Sequence, residues 1–445
     1  MWILLAGTRA AAAPETGACS AWQVTATWCT GHVPSLGSMR AAVGYGAEKG
    51  KTMTLVLDRL MEHAETLRGA GPENERLGQL SDATVGIMRQ AGVIRLLQPK
   101  EYDGQEAHPT EFASTVMQLA SLDGSSGWVA GVVGVHPWGL ALADPPAQEE
   151  VWGPYPEVWV ASPYAPMGVA RPVEGGFIFN GRWQFSSGTD HCNWIFLGAL
   201  LGDAEGKPVE PRYSLHMLLP RGDYEIVPDS WDVVGLRGTG SKDIIVKDAF
   251  VPAYRVLEQP KLLDGTRGRE LGLPNPLYRM PYSCVFPLGI TAATIGICEG
   301  GLAHHLNYQR ERVSVVGTKV KDDPHVLYAI SHAAAEIDAA RTSLIENASR
   351  MFDITESGRE VTFAERAAGR RRQVSAAWRA VRALDEVFDR SGGNAMRVSN
   401  PLQRFWRDAH TGLAHAIHVP GMINHAAALT QLDLVPPPGP MRSMI

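Results

Sequence analysis

Residues 233–252 read VVGLRGTGSKDIIVKDAFVP, a glycine-rich segment followed by a run rich in β-branched residues. The glycines Gly235, Gly238 and Gly240 lie three and two positions apart. This spacing does not fit the GxGxxG fingerprint of nicotinamide-binding folds, and no such fingerprint follows a predicted strand elsewhere in the chain. The stretch therefore predicts β-structure, and we expect no nicotinamide-binding fold within this chain.

Other runs with a period of two surround this stretch and predict a β-domain over roughly residues 155–255. They are VWVASPY, GGFIFNGRWQFSSG, NWIFLGAL, YSLHMLLP and YEIVPDSW, each bounded by turn residues. Six or so short strands at close spacing predict a compact antiparallel sheet or barrel.

Helical periodicity flanks the β-domain on both sides. Before it, apolar residues three and four positions apart recur in Leu80–Ala91, Pro109–Leu122 and Ser126–Leu142. After it, four long helices are predicted, one of them opened by a capping box of Thr362 and Glu365. The predicted domains are an N-terminal helical domain at 53–154, a middle β-domain at 155–263, a C-terminal four-helix bundle at 264–435 and a tail at 436–445.

Residues 1–52 show no sustained helical or strand period. The apolar start, Trp2–Ala6, is too short for a signal peptide and lacks its basic flank. We interpret these residues as an extension outside the fold, with Met53 opening the functional chain. Their end, GYGAEKGKT, approaches a phosphate-binding P-loop, but Tyr45 stands where that motif requires glycine. We therefore expect no nucleotide site there.

The composition argues against several classes of protein. Of the 445 residues, 45% are hydrophobic and 20% are charged, as expected of a globular protein with a large core. A net charge of -6 gives no basic surface for nucleic acid, and no apolar run suggests a membrane span. The five cysteines are scattered and lack CxxC spacing, which predicts reduced thiols in a cytoplasmic protein.

The order of helical domain, β-domain and helical bundle resembles the acyl-CoA dehydrogenase superfamily, as do residues 233–252 and LLQPKEYDG at Leu96–Gly104. Within it, four motifs resemble the oxygenase components of two-component flavin-dependent aromatic monooxygenases. They are DGSSGWVAGVVGVHPWGLAL (Asp123–Leu142), SPYAPMG (Ser162–Gly168), WQFSSGTDHCNW (Trp183–Trp194) and RFWRDAHTGLAHA (Arg404–Ala416). The fold implied is a helical N-terminal domain, an antiparallel β-barrel and a C-terminal four-helix bundle.

The same resemblance implies that the protein hydroxylates a phenolic ring through a C4a-hydroperoxyflavin formed from reduced flavin and O2. A steroid-derived phenol is one candidate substrate. The flavin would be reduced FMN or FAD, with FMN favoured, delivered by a separate NAD(P)H:flavin reductase to a homotetramer. An acyl-CoA dehydrogenase-like flavoprotein is the alternative, although FWRDAHTGLAHA offers histidines instead of a glutamate base. A non-catalytic flavin carrier is a third hypothesis.

Histidine suits the task of taking a phenol proton because its pKa lies near working pH. The resemblance places His136 against the substrate phenol, although a core histidine bonded to a carbonyl would show the same pattern. It places Ser162 between flavin and substrate, where the residue alone would predict a turn serine. His415 is implied as the base or proton carrier beside the flavin. His410 lies five residues earlier, about 140° away on a helix, and is expected to pack structurally.

Further residues are implied as flavin contacts. Trp128 would line the isoalloxazine, and Ser186 and Ser187 would contact its pyrimidine edge and N5. A core tryptophan and a capped strand end would give the same sequence pattern.

The flavin phosphate needs a cation, and the resemblance assigns it to Arg312 of a neighbouring subunit, with Arg310 as a close competitor. Gly393 and Asn394 would touch the flavin from another chain. The spacing of His410 and His415 does not match metal-binding HExxH, so no metal site is expected.

Overall fold

The computed structural model describes residues 54–313 and 319–437, together with residues 317, 439, 442 and 445. The interpretations of residues 1–52 and of their P-loop-like end fall outside the described residues. The described chain is mostly helical around one central β-sheet.

Among the described residues, seven α-helices precede the sheet, and three of them begin with a side-chain cap. Asp123 caps α5 by accepting from the backbone N of Ser126 at 2.9 Å, and α4 begins with Pro109. In chain order the helices are α1 (Thr54–Glu62), α2 (Ala64–Leu77), α3 (Asp82–Ala91), α4 (Pro109–Leu122), α5 (Gly124–Val133), α6 (His136–Leu140) and α7 (Pro145–Trp152).

The central sheet is mixed and open. Its strands are β1 (Val160–Ala161), β2 (Gly168–Val173), β3 (Gly176–Ser186), β4 (Trp194–Leu201), β5 (Ser214–Pro220), β6 (Glu225–Ile226), β7 (Lys242–Pro252) and β8 (Val256–Glu258). They follow the order β6-β7-β3-β2-β4-β5-β8, with β1 beside β4, and β4 is parallel to both β1 and β2. The predicted antiparallel sheet or barrel is therefore not confirmed, because the sheet is mixed and does not close. A period of two identifies strands, but it does not say which strands become neighbours.

The stretch at 233–252 contributes one strand, β7, which pairs antiparallel with β3 along most of its length. The glycine-rich part before it is irregular and includes a short 3₁₀ turn at Arg237–Thr239. Gly240 has a φ of 54°, a left-handed conformation in which glycine is unstrained. Residues 227–241 connect β6 to β7, so this segment is a long connection that brings side chains into the site described below.

Long helices follow the sheet, and the predicted capping box of Thr362 and Glu365 is confirmed. α10, α11, α12 and α13 pack against one another, and α4 and α5 also pack on α10. Tyr282–Arg310 has the length and composition of a membrane span, but most of it is buried inside the protein, as in core helices. The helices are α8 (Gln259–Leu263), α9 (Thr266–Glu270), α10 (Tyr282–Glu311), α11 (Pro324–Glu356), α12 (Phe363–Asp389), α13 (Pro401–Leu413) and α14 (Pro420–Gln431).

Two glycines let α5 approach α10 closely, and this contact positions the side chain of Trp128 on α5. A Cβ on Gly131 would lie 2.5 Å from the carbonyl O of Gly289, and a Cβ on Gly289 would lie 2.2 Å from the carbonyl O of Gly131. A Cβ on Gly412 of α13 would lie 2.9 Å from the ring of Trp128 and 3.0 Å from Oγ1 of Thr294. Backbone contact between these helices therefore sets where the Trp128 side chain lies.

Candidate active site

Four side chains, one from α5 and three from one end of the antiparallel β3–β7 pair, form one buried hydrogen-bond chain. Trp128 Nε1 donates to Ser187 Oγ at 3.2 Å, and Ser187 Oγ lies 2.7 Å from Ser241 Oγ. Ser241 Oγ in turn lies 2.7 Å from Thr239 Oγ1. Thr239 Oγ1 donates to the carbonyl O of Leu236 at 2.7 Å. All four side chains are buried.

The direction of this chain follows from the number of protons. A hydroxyl has one proton to donate, and that of Thr239 goes to a carbonyl, which can only accept. Ser241 must therefore donate to Thr239, and Ser187 must donate to Ser241. Ser187 accepts from Trp128 with one lone pair and retains a second. Ser187 consequently offers a neighbouring ligand a hydrogen-bond acceptor and not a donor.

His415 lies beside this chain, with its ring centroid 5.9 Å from that of Trp128. The expectation that His410 and His415 share one helix is wrong, because α13 ends at Leu413. His415 Nδ1 instead accepts from the backbone N of Ile417 at 3.2 Å and caps a 3₁₀ turn. Such side-chain capping competes with helix continuation, which periodicity alone does not reveal.

The charge state of His415 follows from its surroundings. Burial, helped by the positive charge of Arg370, lowers the pKa of His415 to about 4, so the imidazole is neutral at pH 7. Because Nδ1 accepts a hydrogen bond, the single ring proton resides on Nε2. His410 faces elsewhere: its ring bonds the carbonyl O of Trp406 at 2.8 Å and approaches Asp385 at 3.2 Å.

His136 begins α6 and is completely buried. Its Nδ1 lies 3.1 Å from the hydroxyl of Tyr164, and its Nε2 is buried with no partner among the described residues. Burial, with a smaller contribution from His216, lowers the pKa of His136 to about 3. A neutral imidazole with one free nitrogen can accept or donate one further hydrogen bond.

Tyr164 is held in place through its backbone. The N of Gly198 on β4 donates to the carbonyl O of Pro163 at 3.0 Å, and a Cβ on Gly198 would lie 2.1 Å from the carbonyl O of Tyr164. Only glycine allows this close approach. Burial also raises the pKa of the Tyr164 phenol strongly, so it remains protonated. Tyr164 thus presents a fixed neutral hydroxyl to His136.

Two further serines from the sequence prediction border these groups. Ser162 directly follows β1 and is buried. Ser186 ends β3, and its Oγ is buried with no partner among the described residues. A buried hydroxyl without a partner costs about 1–3 kcal/mol, which a bound ligand can recover. Ser186, Ser187 and Trp128 therefore fit the polar edge and the flat face of an aromatic cofactor such as a flavin.

An aromatic wall that the sequence analysis missed extends from Tyr164. Its ring centroid lies 4.2 Å from His216, 5.2 Å from Phe286 and 5.9 Å from Tyr282. Tyr164 belongs to the motif SPYAPMG, and His216 is the one polar residue of the buried run at 215–219 in β5. The sequence signal for this wall was His216, because a polar side chain at a buried strand position is unusual and indicates a specific interaction.

The remaining predicted residues lie elsewhere. Arg312, Gly393 and Asn394 line an open groove of about 540 Å³, and Arg310 is exposed and is not among its lining residues. Thr294 of α10 lies beside Trp128, and Arg312 directly follows the end of α10, five helical turns or about 27 Å further along. The structure therefore separates this groove from the cluster at Trp128 within one chain.

Comparison with known proteins identifies close relatives. Residues 288–420 match the family model described as acyl-CoA dehydrogenase, C-terminal domain. The chain is 57% identical over 390 residues, 88% of this chain and 99% of the relative, to a pigment production hydroxylase of Rhodococcus erythropolis. It is 42% identical over 356 residues to the flavin-dependent monooxygenase oxygenase subunit HsaA of Mycobacterium tuberculosis, covering 80% of this chain and 89% of that one.

Among solved structures, the 3-HSA hydroxylase from Rhodococcus sp. RHA1 superimposes with a TM-score of 0.82. That structure is 39% identical in sequence, and the match covers 88% of this chain and 99% of the other.

Proposed function

Because the chain belongs to the flavin-dependent monooxygenases, as the oxygenase component of a two-component aromatic hydroxylase, we propose that it hydroxylates a phenol bound at His136. The proposal rests on Nε2 of His136, which is buried and has no hydrogen-bond partner in the part of the chain that the structure describes, while Nδ1 already contacts the Tyr164 hydroxyl. The acyl-CoA dehydrogenase alternative is not supported, because the relatives that share this fold at high identity are hydroxylases.

His136 acts on the substrate as a neutral hydrogen-bond acceptor. When Nδ1 donates to the oxygen of Tyr164, the lone pair of Nε2 is free to accept the proton of the substrate hydroxyl. Drawing that proton away makes the ring more electron-rich and therefore more reactive toward an electrophilic oxygen. Ser162, buried at the end of β1, is proposed to lie between substrate and cofactor.

Bound reduced flavin supplies the activation of O2. We assign its contacts on this chain to Trp128, Ser186 and Ser187, since the ring system of a reduced flavin carries N–H groups and Ser187 offers a free acceptor. His415 holds its proton at Nε2 and is neutral at pH 7. We therefore assign it the role of a hydrogen-bond donor beside the cofactor, which refines its expected role as a base.

The groove at Arg312, Gly393 and Asn394 is proposed to bind the flavin of a second copy of the chain. Its separation of about 27 Å from Trp128 along α10 exceeds the distance from ring to phosphate in FMN. A homotetramer, in which each flavin is shared, would bring the two halves together. We propose FMN as the flavin, delivered in reduced form by a separate reductase.

The experiment mixes oxygen-free protein and reduced FMN or FAD with isotope-labelled O2 and a panel of phenols that includes a steroid-derived phenol. We expect one labelled oxygen atom in a hydroxylated product. His136→Phe should lower product formation about 100-fold while flavin affinity stays within a few-fold. His410→Phe serves as the matched control and should retain product formation. Flavin oxidation without product across the panel, or bleaching of oxidised flavin by an acyl-CoA, would contradict the proposal.

A further inference from the structure

His216 is a buried histidine whose ring nitrogens have no hydrogen-bond partner among the described residues. It lies on β5, where its backbone pairs with the neighbouring strands, and its side chain is largely buried, at 3% exposure. Every neutral imidazole carries one N–H donor and one nitrogen acceptor. Leaving such groups unpaired in a protein interior is costly, and a strand interior could hold an aliphatic residue instead.

Other buried histidines of this chain do have partners. His418 lies 3.2 Å from Oγ1 of Thr291 through Nε2 and 3.0 Å from the carbonyl O of Gly412 through Nδ1. His305 Nδ1 lies 2.7 Å from Oγ of Ser391. These contacts show how the fold satisfies a structural histidine, and His216 lacks them.

The surroundings of His216 place it in the proposed substrate site. Its ring centroid lies 4.2 Å from that of Tyr164 and 5.9 Å from that of Tyr282. The same Tyr164 ring lies 5.3 Å from His136 and bonds it through its hydroxyl. Tyr164 therefore contacts both histidines, and His216 also contacts the aromatic ring of Tyr282.

We propose that His216 is a second polar contact for the substrate, binding an uncharged hydroxyl or carbonyl oxygen remote from the hydroxyl held at His136. The proposal rests on the proposed function, because it specifies the substrate of that same site. Burial keeps His216 neutral by lowering its pKa to about 3, and a neutral imidazole can donate to a carbonyl or exchange donor and acceptor roles with a hydroxyl. The substrate class is thus a phenol with a second oxygen function.

The test measures binding without turnover, by calorimetry under oxygen-free conditions and without flavin. The probes are two matched pairs: 4-ethylphenol with 4-hydroxyacetophenone, and phenol with resorcinol. We expect wild-type protein to prefer the oxygenated member of at least one pair about 10-fold, the range of one hydrogen bond. His216→Phe should abolish that preference and leave the affinity for the plain phenol within about two-fold.

His216→Gln provides the matched rescue, since an amide again offers a donor and an acceptor, and it should restore part of the preference. His216→Met supplies a second apolar variant in case phenylalanine does not fold. Equal losses on both members of each pair, or a wild-type protein without any preference, would overturn the proposal. Hydroxylated product is measured in a separate assay. Absence of product in the wild-type protein would refute the proposed function, whereas the ratio of affinities within each probe pair alone tests the role of His216.

Discussion

Replacing Ser187 with alanine removes both the acceptor for Trp128 Nε1 and the lone pair that we propose accepts from the flavin. A hydrogen bond between neutral groups contributes about 0.5–1.5 kcal/mol, which corresponds to roughly a 2- to 13-fold change in a rate ratio. We expect the ratio of released hydrogen peroxide to hydroxylated product to rise by that factor. Oxygen consumption should continue, because the flavin itself reacts with O2.

Ser241→Ala tests the direction of the hydrogen-bond chain. It leaves the Ser187 hydroxyl in place but removes the oxygen that receives its proton. The Ser187 proton can then turn toward the cofactor, so Ser187 no longer presents a pure acceptor. We expect the peroxide ratio to rise in this variant as well, by less than in Ser187→Ala. Oxygen uptake, peroxide, product and Tm are measured on the same preparations.

A matched control separates this effect from a general loss of stability. Ser230 lies in the same domain, donates to the carbonyl O of Val227 at 2.8 Å and accepts from the backbone N of Asp243 at 2.8 Å. Ser230→Ala should lower Tm and leave the product per oxygen unchanged. An unchanged ratio of peroxide to product in both Ser187→Ala and Ser241→Ala would refute the role assigned to the hydrogen-bond chain from Trp128 to Thr239.

His415→Ala removes a preorganised hydrogen-bond donor, so it should lower hydroxylation about 100-fold and leave flavin affinity within a few-fold. A full loss of flavin binding would argue for a structural role. Arg312→Ala should weaken the binding of reduced flavin. If two subunits share each flavin site, mixing Arg312→Ala chains with His415→Ala chains should restore activity. A mixture as inactive as either variant alone would contradict a site shared between subunits. Buried His136, His216 and His418 have pKa values near 3 in the folded protein, against about 6.5 when unfolded. Because only the unfolded state binds protons between these values, the free energy of unfolding should fall as pH is lowered through 6.5 toward 3, by about 2 kcal/mol per histidine between pH 7 and 5. Urea titrations at both pH values check this, and equal stability would contradict it.

The helices could be predicted from the sequence because their signals are local. The capping pair Thr362 and Glu365 is three residues apart, and the apolar stripe of α11, including Ile337 and Leu344, is buried as its spacing indicates. The sheet could be predicted only as a set of strands. The parallel pairing of β2 with β4 depends on how the chain crosses between them, and no spacing within either strand encodes it.

The candidate site was partly visible in the sequence. The structure brings Trp128, Ser187 and His415 together, but it does so through a chain that continues to Ser241 and Thr239. These two hydroxyls stand in the stretch that predicted the β-structure, where Ser and Thr beside glycines are typical of turns. Ser241 connects to Ser187, which lies 54 residues earlier in the sequence, so only the fold reveals that the two hydroxyls belong to the site.

The buried cation Arg370 helps to keep His415 and His418 uncharged. It is buried, and it donates to the side-chain O of Gln373 at 2.5 Å and to the carbonyl O of Ile417 at 2.7 Å. Among the described residues, no carboxylate hydrogen-bonds to it. Its unneutralised charge therefore makes the nearby potential positive, which adds to burial in holding His415 and His418 neutral. A carboxylate in the same place would instead favour the imidazolium form of His415. Burial together with this cation therefore keeps His415 neutral at physiological pH, with its single proton on Nε2, as the proposed role of hydrogen-bond donor requires.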